Sequence, residues 1–111
     1  MRKQAAMFDI DDTLIEAKTG LPILNIINLL NYHQQKGLSI ILITARPHYT
    51  SNVEWTMRQL EELDIYYDEL WFSPAPEKGR LKRENDKYEF VISYGDQPTD
   101  LTDSILSVKV V

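Results

Sequence analysis

Apolar and polar residues come in blocks along this chain, and the period within each block names an element. Residues 4–10 are apolar on nearly consecutive positions around Ala5-Ala6-Met7-Phe8, the pattern of a short strand covered on both faces. From Leu21-Pro22 onward, Ile23, Ile26, Ile27, Leu30 and Gln34 recur at helical spacing, and Gly37 stands where such a helix would end. Residues 39–44, "SIILIT", form a second continuous apolar run rich in β-branched side chains. In "TSNVEWTMRQLEEL", Ser51 and Glu54 have capping-box spacing, while Val53, Met57 and Leu60 trace one helical face. Further on, the pattern predicts a strand over 69–72 and a charged, exposed helix over 78–86, after Pro74 and Pro76. A strand over 90–94, a short helix over 99–106 and a last strand over 108–111 complete the chain.

Five strands alternating with four helical stretches predict an α/β fold. Right-handed crossovers would build a three-layer, doubly wound, Rossmann-like arrangement around a mostly parallel five-stranded sheet. With 111 residues, 43% of them hydrophobic, residues 1–111 are expected to form a single domain around one modest core. Sheets of this kind bind ligands beyond the carboxyl ends of their strands, where the strand order reverses. The residues that directly follow strands are therefore the ones to inspect.

Composition narrows the chemistry. The chain has no cysteine, which removes disulfide scaffolds, zinc ribbons and cysteine nucleophiles. A net charge of −5 argues against an open basic surface for nucleic acid or anionic membrane, though it leaves room for a small positive pocket. Arg2-Lys3 is basic, but Asp9 interrupts the apolar run long before a signal-peptide core could form. No window approaches the roughly 20 apolar residues of a membrane span. The expected setting is cytoplasmic, away from membranes.

The residues behind the strands are rich in oxygen. Asp9 ends the first strand and Asp11 lies two positions on, where side chains share a face; Asp12 follows at once. Carboxylates this crowded call for a nearby cation, a proton or a positively charged ligand. The second strand ends in Thr44, whose hydroxyl suits a phosphate oxygen, followed by Ala45-Arg46. The fourth ends in "YGDQPTDL", where Gly95 permits a tight turn and Asp96 and Asp100 lie one helical turn apart. The basic run "EKGRLKR" supplies Lys78 and Lys82. Oxygen donors of this kind suit Mg2+. In such a pocket one carboxylate can attack phosphorus while a second acid protonates the leaving oxygen, and an ammonium offsets the phosphoryl charge.

"FDIDDTL" resembles the D-x-D-x-T signature of haloacid dehalogenase-like (HAD) phosphohydrolases. "IILITAR" is similar to that superfamily's second motif, and "ISYGDQPTDL" to its fourth, in the family's order along the chain. "GDQPTDL" is closest to the acid-phosphatase branch, and "YDELWFSP" resembles the polynucleotide 3′-phosphatase branch. The resemblance implies an Mg2+-dependent phosphatase acting on phosphate monoesters through an aspartyl-phosphate. Asp9 would be the nucleophile and a metal ligand; Asp11 would be the general acid/base, with its backbone carbonyl on the metal. Asp96 would be a further ligand, and Asp100 a supporting or alternative one. Thr13, Thr44, Arg46 and Lys78 would meet the phosphoryl group, with Lys82 as the alternative motif-three lysine. Asp12 stands where many members have glycine, and Tyr94 is bulky for a residue beside the site.

The segments between Thr13 and the second strand and between Thr44 and Lys78 are short, so no cap domain is expected. An open site suits a protruding phosphate, on a small molecule or a macromolecular end, or a cap contributed by another subunit in a homo-oligomer. Nucleic acid enters only as substrate. Two rivals differ in class. A receiver domain places its phosphorylated Asp on a mid-chain strand, which the early Thr44 and the compact D-x-D-x-T contradict. A HAD-like binding or regulatory module with little turnover is the other.

Overall fold

A computed structural model describes residues 1–111. Five strands, β1 (Lys3–Phe8), β2 (Ser39–Thr44), β3 (Glu69–Phe72), β4 (Tyr88–Gly95) and β5 (Leu106–Lys109), form one sheet in the order β3-β2-β1-β4-β5. Every neighbouring pair is parallel. The helices are α1 (Leu24–Gln35), α2 (Thr50–Glu62), α3 (Lys78–Glu84) and the one-turn α4 (Pro98–Leu101); a 3-10 turn, Ala75–Glu77, leads into α3. The expected α/β doubly wound sheet is what forms.

Strand β1 runs through the centre because its last four residues have no polar side to show: Ala5, Ala6, Met7 and Phe8 are all fully buried, after an exposed Lys3 and Gln4. Alternation divides the core in two. Ala6, Phe8, Ile40 and Leu42 face α1 and α2, where Ile26, Ile27, Leu30 and Leu60 meet them. Ala5, Met7, Ile41 and Ile43 face the opposite layer with Tyr88, Phe90 and Trp71. The chain builds outward from β1 to β2 and β3, then crosses back to lay β4 on the other side of β1. That reversal opens a crevice beyond the carboxyl ends of β1 and β4. The amide of Asp9 donates to the Tyr94 carbonyl at 3.0 Å and fastens the two strand ends together.

The segment after β1 is small and folds on itself. The carbonyl of Ile10 accepts from the amides of Thr13, Leu14 and Ile15, and the Ile23 amide returns to the Leu14 carbonyl. Leu14 and Ile15 are buried as a result. These connections are too short for a cap domain. No helix is long and apolar enough to cross a membrane.

Several expectations are corrected by tertiary contacts. Helix α2 starts at Thr50 with Tyr49 as its N-cap, so Ser51 lies inside the helix and no capping box with Glu54 forms. Its buried face carries Thr56 and Leu60, whereas Met57 is exposed. Helix α3 is not an exposed charged helix, because Lys78, Gly79 and Lys82 are buried. The helix expected over 99–106 stops at Leu101, and Asp103 turns the chain with φ 61°, so β5 begins earlier than 108. Tyr94 points away from the crevice: it stacks on Phe8 at 4.5 Å, and its hydroxyl meets His33 Nε2 at 2.7 Å.

Candidate active site

The crevice holds a cleft of about 390 Å3, lined by side chains that follow β1, β2 and β4 together with Ala75 and Lys78. Asp9 leaves the end of β1, Arg46 follows β2, and Asp96 and Asp100 follow β4. These segments lie far apart in sequence, and the topological reversal brings them to one place.

Lys78 sits at the centre. Its Nζ donates to Asp9 Oδ1 at 2.9 Å and to Asp100 Oδ1 at 2.7 Å. All three side chains are buried or nearly so. Burial alone would pull the ammonium down, but Asp9 and Asp100 more than reverse this, and its pKa ends above the usual lysine value. Asp9 feels burial more than its partner. Removal from water raises its carboxyl to about 7, against the attraction of Lys78 and with the repulsion of Asp100.

Asp100 is fixed on every side. Besides Lys78, its Oδ2 accepts the Gln97 amide at 3.1 Å, and its carbonyl accepts Lys82 Nζ at 2.7 Å. Gly95 makes room for this, since a Cβ there would overlap the Asp100 side chain. Lys82 also donates to Ser93 Oγ at 3.1 Å, and burial lowers its ammonium to about 8. Between the two candidate lysines, Lys78 reaches the carboxylates and Lys82 braces the backbone beneath them.

Asp9, Asp96 and Asp100 each bring a carboxylate oxygen within 4.8 Å of the others. Three carboxylates and one ammonium leave a formal charge of −2 in a mostly buried pocket, which a divalent cation would balance. The donors are all oxygen, as hard divalent cations require. The cluster is able to hold a metal ion. The Asp11 carboxylate is not part of it.

Asp11 faces Arg46 instead, in a bidentate pair: Nε to Oδ2 at 3.0 Å and Nη2 to Oδ1 at 2.8 Å. The remaining edge of the guanidinium is also occupied. Nη1 donates to Thr56 Oγ1 at 3.1 Å and to Gln59 Oε1 at 2.9 Å, with the group lying over Trp55 at 5.1 Å. Arg46, expected to bind substrate, is committed to Asp11 and α2. The motif signalled an arginine but gave no hint of Thr56 or Gln59, whose part depends on how α2 packs.

The threonines lie deeper. Thr44 is fully buried, and its hydroxyl accepts the Arg46 amide at 3.1 Å. Thr13 is fully buried too, turned inward by the bends around Ile10, and its hydroxyl has no partner within the protein. Neither lines the cleft. Asp12, with φ 59°, does line it and accepts the Ala17 amide at 2.9 Å.

The family model for HAD superfamily, subfamily IIIB (acid phosphatase), matches residues 14–110. The chain belongs to this superfamily. The HAD match begins just after the D-x-D-x-T segment, so the placement of Asp9 and Asp11 comes from geometry. Two solved structures share this chain's fold. A chain of the Pnkp1/Rnl/Hen1 complex superposes with a TM-score of 0.78 at 22% identity, over 98% of this chain and 46% of that one. A chain of the Pnkp1/Rnl/Hen1 RNA repair complex gives 0.77 at 20%, over 98% and 42%. The present chain thus spans less than half the length of either. No curated protein matches. Membership in an acid-phosphatase family supports a phosphatase-type function.

Proposed function

We propose that residues 1–111 form one catalytic core that hydrolyses phosphate monoesters through an aspartyl-phosphate on Asp9. The observation that carries this reading is the buried Asp9 carboxylate, held by Lys78 beside Asp96 and Asp100 at the reversal point of the sheet. Asp9 attacks phosphorus, an Asp–O–P bond forms, and the bond to the ester oxygen breaks. Asp11 protonates that oxygen as it leaves, then takes a proton from the water that cleaves the aspartyl-phosphate. To deliver a proton, Asp11 has to release one of its two bonds to Arg46. Lys78 offsets charge on the transferring group. The Thr44 hydroxyl, buried behind the cleft, accepts from the Arg46 amide and holds the turn that carries Arg46.

Asp9, Asp96 and Asp100 would hold Mg2+ through their carboxylate oxygens, with the Asp11 carbonyl proposed as a further ligand, and the ion would neutralise phosphoryl charge. Asp100, already gripped by Lys78 and Gln97, serves mainly to hold Lys78.

The test is release of p-nitrophenol from p-nitrophenyl phosphate, with and without Mg2+, by the wild type and Asp9→Asn. Mg2+-dependent turnover lost in the variant supports the mechanism. Turnover indifferent to Asp9 removes it, and no turnover favours a HAD-like binding or regulatory module.

The open cleft supports a reading of the substrate class. Without a cap the site admits a protruding phosphate, and one of the structures of shared fold is a chain of the Pnkp1/Rnl/Hen1 RNA repair complex. A nucleic-acid 3′-phosphate is therefore the second reading, with contacts limited to the end because the net charge of −5 offers no extended basic track. Phosphate release from a 3′-phosphorylated oligonucleotide, compared with p-nitrophenyl phosphate, tests it.

A further inference from the structure

We propose that Thr56 and Gln59 of α2 are positioning residues for Asp11, acting through Arg46. The inference rests on Asp11 as the acid/base of the proposed reaction and deepens that reading. The Asp11 side chain stands partly in solvent, and Arg46 is its one partner in the protein. Its orientation therefore rests on Arg46. Arg46, in turn, bonds through its side chain only to Asp11, Thr56 and Gln59. A guanidinium is planar and rigid, so fixing Nη1 on α2 fixes the direction in which Nε and Nη2 project. Trp55, beneath the plane, restricts tilt.

The anchor is built into the core. Thr56 is fully buried one turn before Leu60, which packs between α2 and the sheet. A valine has the same branched shape as Thr56 without the hydroxyl, so filling the space does not by itself call for the polar group. That hydroxyl is instead turned onto Nη1 of Arg46. Placement of a catalytic group is worth a great deal, and small displacements by remote changes are costly in rate.

The experiment combines kinetics with a direct view of Arg46. In a 1H–15N spectrum, the Arg46 Nε–H, assigned by its absence in Arg46→Lys, is expected as a sharp, slowly exchanging signal that disappears in Asp11→Asn. Thr56→Val and Gln59→Leu, singly and together, should broaden or remove it with the fold intact by circular dichroism, whereas Thr56→Ser, which keeps the hydroxyl, retains it. In turnover, the double variant should lose about tenfold in kcat. KM should stay within about twofold, because substrate binding is not what changes. A wild-type Nε–H signal in Thr56→Val/Gln59→Leu, or a loss confined to KM, overturns the inference. Should the double variant unfold, the two single variants carry the same readouts. An inactive wild type would count against the proposed function alone, and the Nε–H signal would still decide the role of Thr56 and Gln59.

Discussion

Lys78 Nζ lies 2.9 Å from Asp9 Oδ1, a buried contact made across 69 positions of the chain. Asp100 shares the same ammonium. Lys78→Met removes the positive charge and leaves two carboxylates facing each other out of water. The metal-free variant is expected to lose about 3 kcal/mol of stability at pH 8. The loss should shrink toward pH 5, where Asp9 takes up a proton. Urea unfolding in EDTA at both pH values checks this; equal losses would mean that Lys78 stabilises by packing.

Asp9 also sets a pH dependence in the wild type. Its carboxyl titrates near 3.8 when unfolded and about 7 when folded, so between these values the folded state holds a proton the unfolded chain has released. Metal-free stability therefore falls as pH rises through that window and levels off above it. Glu69 acts oppositely at lower pH: bonds from Lys87 and Tyr88 lower it to about 2, and that contribution is lost as pH falls below its ordinary 4.5. Mg2+ should raise stability more at pH 8 than at pH 5, because its ligands bind deprotonated. Thermal unfolding across pH, with EDTA and with Mg2+, would show the two slopes diverging; parallel curves would contradict the assignment.

Gly95 is demanded by space, since a side chain there would overlap Asp100. Gly95→Ala is expected to cost about 1–3 kcal/mol as overpacking. Activity should fall further than the loss of folded protein explains, because the displaced carboxylate is the one that grips Lys78. Comparing kcat and melting temperature separates the two effects; a stable, fully active variant would show that the loop relaxes freely.

Arg46→Lys keeps the charge but cannot reproduce a bidentate pair to Asp11 together with bonds to α2. Loss of that geometry should lower kcat by about a hundredfold. KM should move little. A variant whose KM rises while kcat holds would return Arg46 to the role of substrate binder.

The sheet was legible wherever a strand is buried on both faces. Residues 39–44 form β2 as the apolar run predicts, the half-buried edge strand β3 falls on the expected 69–72, and the carboxylates behind β1 and β4 converge because strand order places them side by side. Lys78 and Lys82 were harder. Four residues apart on a charged helix, they look solvated, and only partners brought by β1, β4 and α4 bury them. Arg46 shows the same limit, because a motif marks the arginine while its partners Thr56 and Gln59 are set by how α2 packs. Local spacing misled at Ser51 and Glu54, where the chain enters α2 two residues before the proposed cap. It misled again after Leu101, where the left-handed Asp103 ends what looked like a longer helix.

The most direct test of the central claim is to quench the protein in acid during turnover of a 32P-labelled phosphomonoester with Mg2+ and locate the label. The predicted result is an acid-stable, alkali-labile phosphoryl group on Asp9 that Asp9→Asn abolishes along with turnover. Turnover without label on Asp9, or label that survives in Asp9→Asn, would contradict an aspartyl-phosphate at this position.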